Sequence, residues 1–248
     1  MPVIKLFEKD TTKNPVNMEV FDLPTGVTPL GKSVVVAYGT DGLLPPSKKL
    51  IEDFCRDDLA GVGYTVALPR YFESTKTSPG LAGVSGGLTK DNLKLWTDAI
   101  VEAVKWCKTN QGNDNVALIG FSLGGYMAAR TALATPVKLL IDFFGPMTRF
   151  GKNPITGDIY PFPSGEDITK GKAEKLPPTQ IHHGKKDLIV LPEESEQLAE
   201  WRREEKLTVE LNDKYTCGHP QQPLFPWTAV EQAQAKPAVL QFLKDVMP

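Results

Sequence analysis

Short, almost continuous apolar runs recur along the chain, separated by segments whose apolar residues fall three and four positions apart. Residues 33–38 (SVVVAY), 64–68 (YTVAL), 116–120 (VALIG), 137–144 (VKLLIDFF), 179–183 and 207–211 read as six strands. A helix is predicted to start near Pro45 and Pro46, with Leu50, Ile51 and Phe54 on its apolar face. Residues 92–108 repeat that spacing through Leu95, Trp96, Ile100, Val104 and Trp106, and further helices are predicted over 126–134, 192–203 and 229–246.

Apolar strands that alternate with amphipathic helices specify the α/β class: a mainly parallel central sheet with helices on both faces. In such sheets chemistry gathers at the C-terminal ends of the strands. Residues 3–7 and 18–23 are predicted to add antiparallel edge strands within the first thirty positions. With 248 residues, 41% of them apolar, the chain can bury one sizeable core, and residues 1–248 are expected to form a single domain.

Charge and cysteine content narrow the function. A formal net charge of -2 with no long basic run gives no general attraction for nucleic acid or anionic membranes, so neither is an expected partner. The first ten residues interrupt their apolar positions with charges, and no segment approaches membrane-spanning length, so the cytoplasm is the expected location. Cys55, Cys107 and Cys217 fit neither a disulfide framework nor a Cys-x-x-Cys metal site. They read as reduced thiols, the first two buried in helices, and no metal is expected.

Residues 120–124 (GFSLG) match G-x-S-x-G, in which a sharp strand-to-helix turn exposes a serine hydroxyl above the sheet. The pattern alone is weak: at average usage roughly one chain of this length in ten would contain it by chance. Indeed residues 83–87 (GVSGG) match as well, but Ser85 lies in a Ser/Thr/Pro/Gly-rich stretch that reads as a flexible loop. Ser122 follows VALIG and precedes the helix formers YMAARTALA, which is the required setting. The competing reading is a serine that only caps the helix.

A serine nucleophile needs a base to take its proton, and histidine serves best near neutral pH. In chains with this elbow the order is serine, acid, histidine, with the base on a loop after the last strand. Of three histidines only His219 is so placed, after LTVEL and between Gly218 and Pro220. His182 and His183 are adjacent on a strand, so they should face opposite ways and share no metal; one of them could reach the surroundings of the site. Asp187, after the strand and turn QIHHGKK, is the preferred acid, ahead of Asp142 and Asp213, and the competing reading for it is a turn aspartate. The oxyanion hole needs the N–H of Leu123 and one from the loop after an earlier strand, assigned to Thr40 with Asp41 as its alternative.

The stretches VVVAYGTDGL, YTVALPRY, VALIGFSLGG, IHHGKKD and the run Cys217, Gly218, His219 resemble the dienelactone hydrolase family of α/β-hydrolases, over roughly residues 30 to 245. The resemblance implies the α/β-hydrolase fold, no metal or organic cofactor, and hydrolysis of small esters or lactones through an acyl-enzyme. Bacterial members carry a cysteine at the elbow and a glutamate on the early strand; Ser122 and Gly39 stand there in this chain. A serine needs no such carboxylate, so the two differences agree with each other and point away from dienelactone itself. The family's carboxylate-binding arginine has no clear match, and Arg70, beside Tyr71, is the nearest counterpart.

The connection over 145–178 is long enough for a binding loop, with Arg149, Tyr160 and Phe162 in it and a short helix expected near 167–176. It is expected to border the pocket, with Arg70, Tyr71 and Tyr160 as substrate-binding residues. The expected partner is a small-molecule ester or lactone. The same triad would equally serve a thioesterase or acyltransferase, and a non-catalytic small-molecule-binding relative is the alternative of a different class.

Overall fold

The computed structural model describes residues 2–8, 10–45, 47–152, 159–221, 224 and 226–248. Its strands are β1 (Val3–Leu6), β2 (Val16–Phe21), β3 (Ser33–Ala37), β4 (Thr65–Pro69), β5 (Val116–Phe121), β6 (Leu139–Phe143), β7 (Gly151–Lys152), β8 (Ile159–Tyr160), β9 (Thr179–Gly184) and β10 (Val209–Tyr215). The α-helices are α1 (Ser47–Asp53), α2 (Leu81–Gly87), α3 (Lys90–Gln111), α4 (Leu123–Ala134), α5 (Lys170–Ala173), α6 (Pro192–Glu204) and α7 (Ala229–Val246). A π-helical turn, Phe54–Leu59, continues α1, and a 3-10 turn, Tyr71–Thr75, follows β4.

Eight strands form one sheet in the order β1-β2-β4-β3-β5-β6-β9-β10. β1, β2 and β4 pair antiparallel, as the edge patterning predicts, and all the other pairs are parallel. This is the α/β-hydrolase fold. Every residue of β3, β5, β6 and β9 is buried, which requires cover on both faces and explains why β3 and β5 read as nearly continuous apolar runs, whereas β9 buries the polar Thr179, Gln180, His182 and His183. α3 and α4 pack on the β3–β5 region, α6 on β9 and β10, and α7 on β6 and β9.

The strand order sets the place of the site. From β3 the chain moves outward to β4, then crosses back to β5 on the other side of β3. The loops leaving β3 and β5 therefore diverge and leave a crevice at their C-terminal ends.

Three elements depart from the sequence reading. Ser85 lies in helix α2, where a loop is expected. Burial of Val84 outweighs the poor helix propensity of three glycines, and Gly83 is needed because a Cβ there would sit 2.3 Å from the Ser78 carbonyl oxygen. β10 runs on to Tyr215 because its outer half is polar, as befits an edge strand, so the apolar pattern stops at Leu211 too early. The long connection contains the β7–β8 pair as well as α5, which falls inside the expected 167–176 window.

Candidate active site

Ser122 sits between β5 and α4 with φ 54° and ψ -126°, a strained conformation for a residue with a side chain. The surrounding backbone holds it there. Ser122 N–H donates to the Phe143 carbonyl at 2.9 Å, and Gly125 N–H donates to the Ser122 carbonyl at 2.8 Å. The glycines of the motif are demanded by contact: a Cβ on Gly120 would lie 2.1 Å from the Gly124 carbonyl oxygen, and one on Gly124 would lie 2.1 Å from that of Ala37. Ser122 does not cap α4 through its side chain. Its Oγ instead lies 2.8 Å from His219 Nε2.

His219 comes from the loop after β10, which is stitched to the loop after β9. Lys185 N–H donates to the Tyr215 carbonyl at 3.0 Å and Lys186 N–H to the Cys217 carbonyl at 2.9 Å. Gly184 allows this approach, since a Cβ there would lie 2.3 Å from the Cys217 carbonyl oxygen. The result brings His219 Nδ1 to 2.7 Å from Asp187 Oδ2. Asp187 Oδ1 accepts the N–H groups of Ile189 and Val190, each at 2.9 Å. Burial raises the Asp187 carboxyl pKa, but the adjoining His219 and His183, through charge and hydrogen bonding, outweigh it and hold the pKa well below the usual range. Both features of a turn aspartate and of an acid partner are thus present in one residue. The His219 ring packs edge-on to Phe144 at 5.0 Å and is buried.

Asp142, the rival acid, is placed differently. It is wholly buried on β6, against Gly125 and Gly145, and neither carboxylate oxygen makes a regular hydrogen bond. The Gly145 amide faces it and, with His183, opposes the burial that pushes its carboxyl up to about 7. Asp213 lies on edge strand β10 beside Lys185, 3.7 Å away.

On the β3 side, Gly39 rests against the nucleophile: an added Cβ would be 3.0 Å from Ser122 Cβ and 3.5 Å from its Oγ. Gly42 N–H closes a turn onto the Gly39 carbonyl at 3.0 Å, and the Thr40 carbonyl accepts from Gly80 N–H at 2.7 Å. Leu123 opens α4, so its N–H has no acceptor within the helix. Asp41 acts through its side chain, whose Oδ2 accepts from Ser47 Oγ at 2.8 Å and Gln221 Nε2 at 2.7 Å, joining the β3 loop to α1 and to the His219 loop.

The remaining sequence-derived residues are not brought to Ser122. Arg70 bonds Glu19 on β2, with Nε 2.8 Å from Oε1. Tyr71 is fully buried, and its hydroxyl donates to the Tyr38 carbonyl, just before Gly39. Tyr160, with Phe150 and Phe162, lines a separate cavity of about 320 Å³ beside Ser85 and Leu88. Among the described residues, none of the 145–178 connection lines the cavity at Ser122, and residues 153–158 of it lie outside the described residues.

One contact, that of Gln221 with Asp41, has no sequence signature. Gln221 is an ordinary exposed polar residue. His183 carries out what the sequence left open between two adjacent histidines: its Nε2 lies 3.4 Å from Asp187 Oδ2 and 2.9 Å from the Val190 carbonyl, and its Nδ1 lies 2.6 Å from Ser195 Oγ. His182 faces the other way, stacked on Phe143 and bonded to Tyr215. All three cysteines are buried and free, and burial pushes the Cys217 thiol up to about 12, so it stays protonated beside the site. Among the described residues no group of three His, Cys, Asp or Glu could hold a metal ion, and no helix is long and apolar enough to cross a membrane.

The fold and this geometry define a hydrolase class, and the sequence assigns the family: the chain belongs to the dienelactone hydrolase family, whose model matches residues 23–244. It is similar in structure to XC6422 from Xanthomonas campestris, described as an α/β serine hydrolase without a lid. That match has 19% identity and a TM-score of 0.65, covering 97% of this chain and 93% of the other. It is also similar to P91, a dienelactone hydrolase-like promiscuous phosphotriesterase from metagenomic libraries, with 15% identity, a TM-score of 0.70, and coverage of 99% and 97%. An esterase from the fungus Rhizomucor miehei matches with 15% identity and a TM-score of 0.70, over 99% of this chain and 83% of its own. At these identities the likeness is one of fold. No curated protein matches the chain.

Proposed function

We propose that this hydrolase-family chain works as a single domain that cleaves small carboxylic esters or lactones through an acyl-enzyme on Ser122. The observation that carries the reading is the unbroken relay from Ser122 Oγ to His219 Nε2 at 2.8 Å and from His219 Nδ1 to Asp187 Oδ2 at 2.7 Å. Ser122 Oγ attacks the carbonyl carbon while His219 Nε2 takes its proton. The oxyanion that forms is held by the N–H groups of Leu123 and Thr40. Its collapse breaks the ester C–O bond, and His219 returns the proton to the departing alkoxide. Water then attacks the acyl carbon with His219 again as base, which frees the carboxylic acid and restores Ser122. Asp187 stays ionised throughout, fixing the imidazole tautomer and balancing its transient charge.

The test is mass spectrometry of the intact protein after exposure to a fluorophosphonate, followed by peptide mapping. A single adduct on Ser122, absent from Ser122→Ala and from protein carrying His219→Ala, is the expected result. An adduct on Ser85, or none at all, would contradict the proposal.

A further inference from the structure

The cavity that reaches Ser122 has a volume of only about 20 Å³, with Phe121, Phe144, Leu50 and Pro220 among its walls. That is room for little more than one water-sized group beside the nucleophile. Any substrate arm longer than that must lie elsewhere. A cavity of about 740 Å³ runs between α1 with its π-helical continuation on one side and the start of α7 on the other. The two spaces share Ser47, Leu50 and Pro220 in their walls, so the larger adjoins the smaller directly.

The chemistry of the larger groove is apolar at the base and neutralised at the rim. Phe54 and Trp227 line it and are themselves buried, which gives it a rigid aromatic floor. The charges around it are paired: Lys236 Nζ lies 2.7 Å from Asp58 Oδ1, Lys49 bonds Asp53, and Asp57 lies 4.0 Å from Arg56. Gln232 also lines it, 3% exposed. Its Oε1 accepts from Trp227 Nε1 at 3.3 Å, while its Nε2 has no partner among the described residues.

We infer that this groove is the subsite for the apolar arm of the ester, an aliphatic or aromatic chain of several carbons. The inference rests on the reading of Ser122 as the nucleophile, and it names the substrate class: esters with one long neutral arm rather than small charged lactones. Paired rim charges give a carboxylate on that arm no partner, and the floor rewards carbon.

Ala233, exposed on α7 and lining the groove, is the position from which to fill it. Ala233→Trp is compared with wild type and with Gln234→Trp, whose position does not line the groove. The rates kcat/KM are measured for p-nitrophenyl acetate against decanoate, and for methyl against octyl acetate. Methyl heptyl ketone, which has the chain but no cleavable bond, is titrated by calorimetry. Ala233→Trp should lower the long-to-short ratio by about tenfold or more in one of the two series. The series that responds tells whether the groove holds the acyl or the alcohol arm. Ketone binding should weaken in parallel, and Gln234→Trp should change neither. If short esters are cleaved through Ser122 while Ala233→Trp leaves both ratios and ketone binding unaltered, the groove is not the subsite although the hydrolase reading stands. Should no ester be cleaved but the ketone bind in a manner that Ala233→Trp abolishes, the groove binds apolar chains but is no ester subsite, and the inference falls together with the hydrolase reading. Absence of both cleavage and ketone binding overturns the inference with the reading.

Discussion

The Tyr71 hydroxyl donates to the Tyr38 backbone carbonyl at 2.6 Å, and the two rings stack with centroids 4.4 Å apart. In return the Tyr38 hydroxyl accepts from Phe72 N–H at 3.1 Å. This reciprocal clasp fixes the end of β3 immediately before Gly39 and Thr40. Tyr71→Phe keeps the stack but leaves a buried carbonyl unpaired, which should cost about 1–3 kcal/mol of stability in denaturant unfolding. Ester turnover should fall through kcat more than through KM, because the loop that would hold the oxyanion is loosened. Unchanged stability and kcat would show that the clasp is dispensable.

Asp187→Asn keeps the shape of the acid but offers His219 an amide in place of a charge. By comparison with other serine triads, kcat should fall by about 10⁴ with the fold intact by circular dichroism. The same residue bears on acid stability. A carboxyl held below its unfolded value stabilises the native state above that value, and the gain is lost as pH falls through the lower native one. The variant lacks that charge-dependent gain but keeps an oxygen for the Ile189 and Val190 N–H groups. The stability gap between wild type and Asp187→Asn should therefore be widest above the unfolded carboxyl value and narrow as pH falls below it. A thermal unfolding series against pH reads this, and a gap that does not change with pH would contradict it.

The opposite sign applies at Asp142. Its carboxyl is pushed up to about 7 from an ordinary 3.8, chiefly by burial. The unfolded chain then releases its proton more readily than the native one. Stability is fully present below the unfolded value, declines as pH rises from about 4 to about 7, and levels off above that, where the carboxyl is ionised in both states. Asp142→Asn, neutral at every pH, should flatten that decline and gain on the order of 4 kcal/mol over wild type at pH 8. A melting temperature that rises by the same amount at pH 4 and pH 8 would contradict the assignment.

In the proposed mechanism His183 is a positioning residue for Asp187, its Nε2 3.4 Å from Oδ2. His183→Leu removes the group beside Asp187 Oδ2 and leaves the Val190 carbonyl and Ser195 hydroxyl without their ring partner. Turnover should drop about ten- to a hundredfold with KM little changed, since small displacements of catalytic groups are costly. His183→Gln, which keeps a donor for the carbonyl, should recover part of the loss; equal defects in both variants would argue for a packing role alone.

The central parallel strands β3 and β5 were legible because burial on both faces makes them nearly continuous apolar runs, and the elbow because Ser122 lies between VALIG and a helix-forming stretch. His219 and Asp187 followed from chain order, and the structure brings both into one relay with Ser122. What chain order cannot carry is lateral contact. Arg70 stands where a substrate-binding arginine is expected, yet Glu19, from an antiparallel strand fifty-one positions earlier, takes its guanidinium. Gln221 and Asp41 meet across 180 positions with nothing in either neighbourhood to announce it. The groove beside α7 is likewise built from two distant segments, each of which reads as an ordinary amphipathic helix.

The central claim is that Ser122 is an activated nucleophile, and it is tested most directly by the initial rate of p-nitrophenyl butyrate hydrolysis in wild type, Ser122→Ala and Ser85→Ala. The account predicts a fall of at least about a thousandfold in Ser122→Ala and a wild-type rate in Ser85→Ala. Hydrolysis that survives the loss of Ser122, or that is lost with Ser85, would contradict it.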